Sequence, residues 1–159
     1  MCGTVKALPN LQVLDEEGRK VSVRDLIKGW TILYVYPKDN TPGCTTEAKE
    51  FTDLLPEFKA LGFEVIGVSR DSPDSHRRFK EKHNLKVKLV SDPEAELIKA
   101  LGAWGVKKAY GRSYEGVIRS TYIVSPSGKV VWEARKVRAK GHAAKVLQVV
   151  KELLKGGPS

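Results

Sequence analysis

Residues 31–58 most constrain the fold, because an apolar run, a backbone break and an amphipathic run follow one another there without a gap. Thr31-Ile-Leu-Tyr-Val-Tyr36 is near-continuously apolar, the pattern of a strand covered on both faces. Pro37, Pro42 and Gly43 then interrupt the backbone, as a loop requires. Beyond them Ala48, Phe51, Leu54, Leu55 and Phe58 recur at helical spacing. Cys44 therefore sits where a strand has ended and a helix begins. A helix N-terminus offers free amide donors and a partial positive charge. Both favour a thiolate over a thiol, which makes such a cysteine nucleophilic at neutral pH. The competing reading is a structural cysteine buried as a small apolar group; the helix-start setting weighs against it.

The remaining chain alternates strand and helix patterns. Val5–Leu14 and Lys20–Val23, turning at Asp15-Glu-Glu-Gly18, predict an N-terminal hairpin. Arg24–Lys28 reads as a short helical turn. The Cys44 helix is expected to end at Gly62. Phe63–Ser69 reads as a second buried strand, so the two strands and the helix between them form a βαβ unit with a right-handed crossover. Ser72-Pro73 starts a helix to about His83, and Val87–Val90 is a short strand. Asp92-Pro93 opens a helix to about Leu101, with Pro93 at its first position. Residues 103–116, rich in Gly, Lys and Tyr, read as a loop. Arg119–Val124 and Val130–Arg135 flank Ser125-Pro-Ser-Gly128 as a hairpin, Ala139–Leu154 is the last helix, and 156–159 a frayed tail. The pattern predicts one α/β domain over residues 1–159.

Charge and cysteine content exclude several classes. The formal net charge is +9, but acids and bases are interleaved, as in Glu47-Ala-Lys-Glu50, which suits a solvated surface rather than a specific nucleic-acid reader. Two cysteines are too few for a disulfide scaffold. No apolar run spans a membrane and no leader pattern opens the chain, so a cytoplasmic location is expected. His76, His83 and His142 show no metal-ligand spacing and read as surface or capping residues. No cofactor or metal is implied. Trp30, Trp104, Trp132, Tyr110 and Tyr114 read as packing aromatics, and Glu47 as a first-turn acid facing the helix dipole.

Thr41-Pro-Gly-Cys44-Thr45 after Tyr36-Pro-Lys-Asp39 resembles the active-site loop of peroxiredoxins, in the form of the bacterioferritin comigratory protein branch, the Q type. Further likenesses are Gly67-Val-Ser-Arg-Asp71, Gly116-Val-Ile-Arg-Ser-Thr-Tyr122 and Lys140-Gly-His142, so the resemblance runs from about Pro9 to Leu154. It implies a thioredoxin-like fold, a central mixed sheet flanked by helices with an added N-terminal hairpin. It also implies a thiol-dependent peroxidase acting on hydrogen peroxide and organic hydroperoxides. In that resemblance Cys44 is the peroxidatic nucleophile, Thr41 and Arg119 hold the peroxide oxygens, and Pro42 covers the thiolate. Taken alone, Thr41 and Pro42 are ordinary turn residues and Arg119 an arginine paired with a surface carboxylate. Many Q-type members carry a resolving cysteine five residues after the first, and others on the next helix; here the first position is Lys49 and the next helix has no cysteine. Cys2 is the other thiol. The expected partners are therefore a peroxide and an external thiol, thioredoxin or a small thiol, acting on a monomer or homodimer without nucleic acid or membrane. A redox sensor or holdase on the same fold is the alternative.

Overall fold

The computed structural model describes residues 7–155. Seven strands form one mixed sheet in the order β2-β1-β5-β4-β3-β8-β9. These are β1 Gln12–Leu14, β2 Lys20–Ser22, β3 Trp30–Val35, β4 Phe63–Ser69, β5 Lys88–Ser91, β8 Ser120–Val124 and β9 Val130–Arg135. β3, β4 and β5 run parallel to one another. β8 joins β3 antiparallel and β9 continues antiparallel, while β1 and β2 extend the other edge as the expected hairpin. Side chains of β3 alternate between two buried layers. Ile32 and Tyr34 face a cluster with Phe51 and Phe58 of α2 (Pro42–Ala60) and Val146 and Val150 of α5 (His142–Lys155). Leu33 and Val35 face a second cluster with Val23 of α1 (Val23–Leu26) and Leu97 of α4 (Glu96–Ala100). This two-sided burial explains the unbroken apolar run of β3.

Local chemistry sets the ends of the elements. Ser72 caps α3 (Pro73–His83) by accepting the Ser75 amide at 3.1 Å, and Asn84 closes it in the left-handed region. Gly67 lies opposite Tyr34 in the β3–β4 register. A Cβ there would stand 2.7 Å from Tyr34 Cζ and 2.8 Å from Leu89 Cδ2, so the glycine is what allows the tyrosine ring to lie across β4.

Several sequence expectations are corrected. Residues 103–116 are not a loop: β6 Trp104–Ala109 and β7 Arg112–Val117 pair as a separate two-stranded ribbon. Its turn residues Tyr110 and Gly111 both take positive φ, as a tight two-residue hairpin needs; with its middle mostly exposed, the ribbon gives no alternating apolar signal. Pro93 does not open α4, which begins at Glu96, because Asp92 forms a turn and accepts the Ile98 amide at 2.8 Å through Oδ2. The last helix starts at His142, after the positive-φ Gly141. Tyr110 and Tyr114 are exposed rather than packed, and Trp30 is partly exposed. The frayed tail and Cys2 lie outside the described residues. Among the described residues, no helix is long and apolar enough to cross a membrane.

Candidate active site

Cys44 is the third residue of α2, and its side chain is buried in the apolar cluster beneath the helix. Thr41 is the N-cap in extended conformation and Pro42 the first helical residue, exposed to solvent. Thr41 Oγ1 does not cap the helix; it donates to Lys38 O at 2.9 Å, while Thr41 O accepts the Thr45 amide at 2.8 Å. The first-turn amides of α2 thus have no side-chain cap.

Arg119 comes from the short link between β7 and β8, just ahead of the strand rather than within it. Its guanidinium forks. Nη2 lies 3.3 Å from Cys44 Sγ, and Nη1 donates to Glu47 Oε1 at 2.6 Å. Gly43 makes the approach possible, since a Cβ at that position would stand 3.1 Å from Arg119 Nη2. Glu47 is fully buried and lies in the second turn of α2, so the dipole-facing role expected from the sequence is replaced by an ion pair. Its Oε2 and the hydroxyl of Tyr34 are both buried without a hydrogen-bond partner among the described residues. Burial pushes the Glu47 carboxyl up to about 7 against the pull of Arg119. Burial likewise drives the Tyr34 phenol well above its ordinary value, helped by the charges of Glu47 and Cys44. Burial works against the charge on Arg119, but Glu47 and Cys44 outweigh it and hold the guanidinium above the usual arginine value.

The loop ahead of the helix is clamped by a second buried group. Asp39 accepts Tyr36 Oη at 2.5 Å and Ser75 Oγ at 2.9 Å, and lies 2.7 Å from His76 Nδ1. His76 Nε2 is 3.0 Å from Val90 O, which can only accept, so that nitrogen carries a hydrogen. The Asp39 amide donates to Asp71 Oδ2 at 2.9 Å. These bonds tie residues 36–39 to α3 and β5. At the other end, Glu50 of α2 accepts the Gly141 amide at 2.9 Å, at the start of α5. His142 packs edge-on against Phe51 and lies 2.6 Å from Thr121 Oγ1, and burial lowers its pKa to about 4.

Of the four residues singled out from the sequence, Cys44 and Arg119 are in contact, and Thr41 and Pro42 form the start of the same helix. Thr41 makes no hydrogen bond to Cys44 among the described residues. His76 and His142 are buried polar residues, not surface ones; His83, near Asn40 at 3.1 Å, is half-buried. The buried contacts of Glu47, Asp39 and His76 are not readable from the sequence because their partners lie 72, 37 and 14 residues away. Lys49 projects from α2 into solvent, and among the described residues no group of His, Cys, Asp and Glu is arranged to hold a metal.

A thiol held by a forked arginine at a helix start is the arrangement to set against known families. The AhpC/TSA family model matches residues 5–133. The chain belongs to the peroxiredoxins. Within them it falls in the Q-type, bacterioferritin comigratory protein branch. It is 43% identical over 145 residues to Peroxiredoxin Bcp of Bacillus subtilis, covering 91% of this chain and 92% of that one. It is 44% identical over 134 residues to Peroxiredoxin Bcp of Xanthomonas campestris, 84% of each chain. The solved structure of the Xanthomonas campestris bacterioferritin comigratory protein, studied for alkyl peroxide reduction, matches with a TM-score of 0.85 at 40% identity over 94% of this chain and 98% of that one. As a peroxiredoxin the chain is a thiol-dependent peroxidase with a thioredoxin-like fold, and its reaction takes a peroxide and a thiol reductant.

Proposed function

We propose that Cys44 is the peroxidatic residue, that Arg119, Thr41 and Pro42 complete the reacting site, and that the oxidised cysteine is returned by an external thiol. The observation that carries the reading is the 3.3 Å contact of Arg119 Nη2 with Cys44 Sγ while Glu47 fixes the other arm of the fork. The thiolate attacks one peroxide oxygen; the S–O bond forms, the O–O bond breaks, and the other oxygen leaves as hydroxide or alkoxide and takes up a proton from solvent. Sulfur is oxidised to the sulfenic acid and the peroxide is reduced. Arg119 supplies fixed positive charge where the oxygen pair becomes more negative. Thr41 Oγ1, its hydrogen committed to Lys38 O, presents lone pairs and accepts the peroxide O–H, which aligns the O–O bond behind the sulfur. Pro42, exposed and without an N–H, shields the site without competing for the peroxide. The likeness to an alkyl peroxide-reducing relative supports organic hydroperoxides beside hydrogen peroxide as substrates.

An external thiol then attacks the sulfenic sulfur; an S–S bond forms and the oxygen leaves as water with the thiol proton. A second thiol releases Cys44. Support for an external partner is the exposed Lys49 at the position where many relatives keep a cysteine, and the absence of cysteine from α3. In this reading residues 1–159 act as one domain in the cytoplasm, where thiol reductants are held reduced. After one equivalent of peroxide, dimedone is expected to label Cys44, and Cys2→Ser is expected to turn over with dithiothreitol at the wild-type rate. A Cys2–Cys44 disulfide in high yield, with turnover lost in Cys2→Ser, would overturn the external-thiol step. Persistence of peroxide consumption in Cys44→Ser would overturn the whole assignment.

A further inference from the structure

The β6–β7 ribbon pairs only with itself among the described strands. Its base is fixed: Trp104 carries Lys99 Nζ at 4.7 Å and Arg70 Cζ at 5.6 Å over its ring, and donates from Nε1 to Glu115 Oε1 at 3.3 Å. Its outer part is open. Val106 is 65% exposed, Tyr114 50%, and Tyr110 at the turn fully so. Lys107, Lys108 and Arg112 stand among them, and Glu115, the acid of the ribbon, is taken up by Trp104. Beside the ribbon is a hollow of about 660 Å³. Val106, Ile118 and Val137 line it with Lys107, Lys108 and Lys136, and Arg119 is shared with the reacting site. No carboxylate among the described residues lines it.

We propose that the β6–β7 ribbon and this hollow are the docking surface for an acidic protein that carries the reducing thiol. The inference rests on the external-thiol reading above. Three observations select the occupant. The hollow reaches Arg119, so whatever seats there is brought to the group that holds Cys44 Sγ; a small thiol needs no such surface. Apart from Arg119, which Glu47 holds, the hollow's cations face no acid lining it, and the chain carries +9 overall, so a second copy of the same chain is repelled and an acidic partner is drawn in. The exposed Val106, Tyr110 and Tyr114 supply apolar contact area of the kind that dominates protein interfaces, which favours a protein over a nucleic acid.

The test compares two reductants, dithiothreitol and an acidic thioredoxin recycled by its reductase, at low and high salt. The variants are Lys108→Glu/Arg112→Glu and Tyr114→Ser, with Lys151→Glu/Lys155→Glu on exposed positions of α5 as a control of equal charge change. The ribbon charge reversal is expected to lower thioredoxin-driven kcat/KM about tenfold or more at low salt, with the gap closing as salt rises. Tyr114→Ser lowers it at all salt concentrations. The α5 control, dithiothreitol-driven turnover and the peroxide oxidation rate of Cys44 stay within about twofold, the range of surface changes off the docking face. Equal loss in the ribbon variants and the α5 control overturns the inference, as does a wild type that turns over with dithiothreitol and not with the thioredoxin. So does unchanged thioredoxin turnover with lost binding of a single-stranded oligonucleotide, which would mark a nucleic-acid surface. Failure of the external-thiol reading shows separately, as the Cys2–Cys44 disulfide, whatever the charge reversals do.

Discussion

Replacing Glu47 with glutamine should uncover a pH dependence of stability that two buried groups cancel in the native chain. Glu47 is raised from 4.5 to about 7 in the fold. Between those values the native state holds a proton that the unfolded chain has lost, so stability falls as pH rises. His142 is lowered from 6.5 to about 4. Between those values the unfolded chain holds the proton, so stability rises with pH. From pH 4.5 to 6.5 each state carries one proton on this pair of groups, and the two slopes, each about 1.4 kcal/mol per pH unit, cancel. In Glu47→Gln the side-chain amide would keep an acceptor for Arg119 Nη1 but never bear the buried charge, which the native carboxylate carries with its Oε2 unpartnered. The variant should therefore gain on the wild type by on the order of 3 kcal/mol between pH 4.5 and 7, then hold level. Urea unfolding of the reduced proteins at about pH 5, 6, 7 and 8 reads the difference, in which all other groups drop out. His142→Gln should give the mirror image, gaining on the wild type as pH falls from 6.5 towards 4. A Glu47→Gln difference that is constant over that range of about pH 5 to 8 would show that Arg119 fully repays the burial of the carboxylate, and would refute the reasoning.

Other perturbations separate the parts of the site. Arg119→Met should lower the second-order rate of Cys44 oxidation by about 10²–10³, the usual loss for one donor aimed at developing charge; a folded variant reacting at the wild-type rate would take Arg119 off the list. On the role proposed for Thr41, Thr41→Val removes the acceptor for the peroxide and should slow the same step, while alkylation of Cys44 by iodoacetamide, which needs no aligned O–O bond, stays nearly unchanged. Gly43→Ala puts a methyl 3.1 Å from Arg119 Nη2, so oxidation should slow with little loss of unfolding free energy; an unaltered rate would mean the guanidinium shifts without consequence. His76→Leu takes one partner from the buried Asp39, which keeps Tyr36 Oη and Ser75 Oγ, and should cost about 1–3 kcal/mol in urea unfolding, a loss that an unchanged midpoint would rule out.

The strands and helices of the sheet were legible because each buries a face, and burial writes a period into the sequence: β3, β4 and α3 lie within a residue of where the pattern puts them. The β6–β7 ribbon was not, since its middle faces solvent on both sides and leaves only Tyr110-Gly111 as a turn signal. Pro93 misled because proline suits both a first helical turn and the turn that Asp92 actually makes. At the site, Cys44 was legible from its place between an apolar run and a helix, and Arg119 from a resemblance, but their geometry depends on Glu47, which reads as an ordinary helix acid. The Asp39–His76 pair was invisible for the same reason: a histidine among Ser, Arg and Lys gives no hint that its position turns inward, or that a loop 37 residues earlier supplies its partner.

The lack of a side-chain cap on α2 links the reactivity of the site to its return to the reduced state. Thr41 spends its hydroxyl on Lys38 O and Pro42 has no N–H, whereas Ser72 caps α3 in the ordinary way. With no side chain capping the first turn, its amides and the positive end of the helix are left without the partial neutralisation that a cap gives. Arg119, fixed by Glu47, adds its charge on the open side, and the Asp39 clamp holds the loop ahead of the helix, so little reorganisation is left for the moment of attack. The same construction leaves Cys44 only 2% exposed. A peroxide is small enough to enter beside Arg119, but a protein thiol has to bring a whole side chain into line with the sulfur. That approach requires residues 41–44 to move aside. They form the first turn of α2, with no side-chain cap, an exposed proline, a glycine with no side chain to pack, and the backbone bond from Thr45 to Thr41 to close it. In the proposed external-thiol cycle, adding a cap would therefore act against the enzyme, by fastening the turn that a protein reductant has to open.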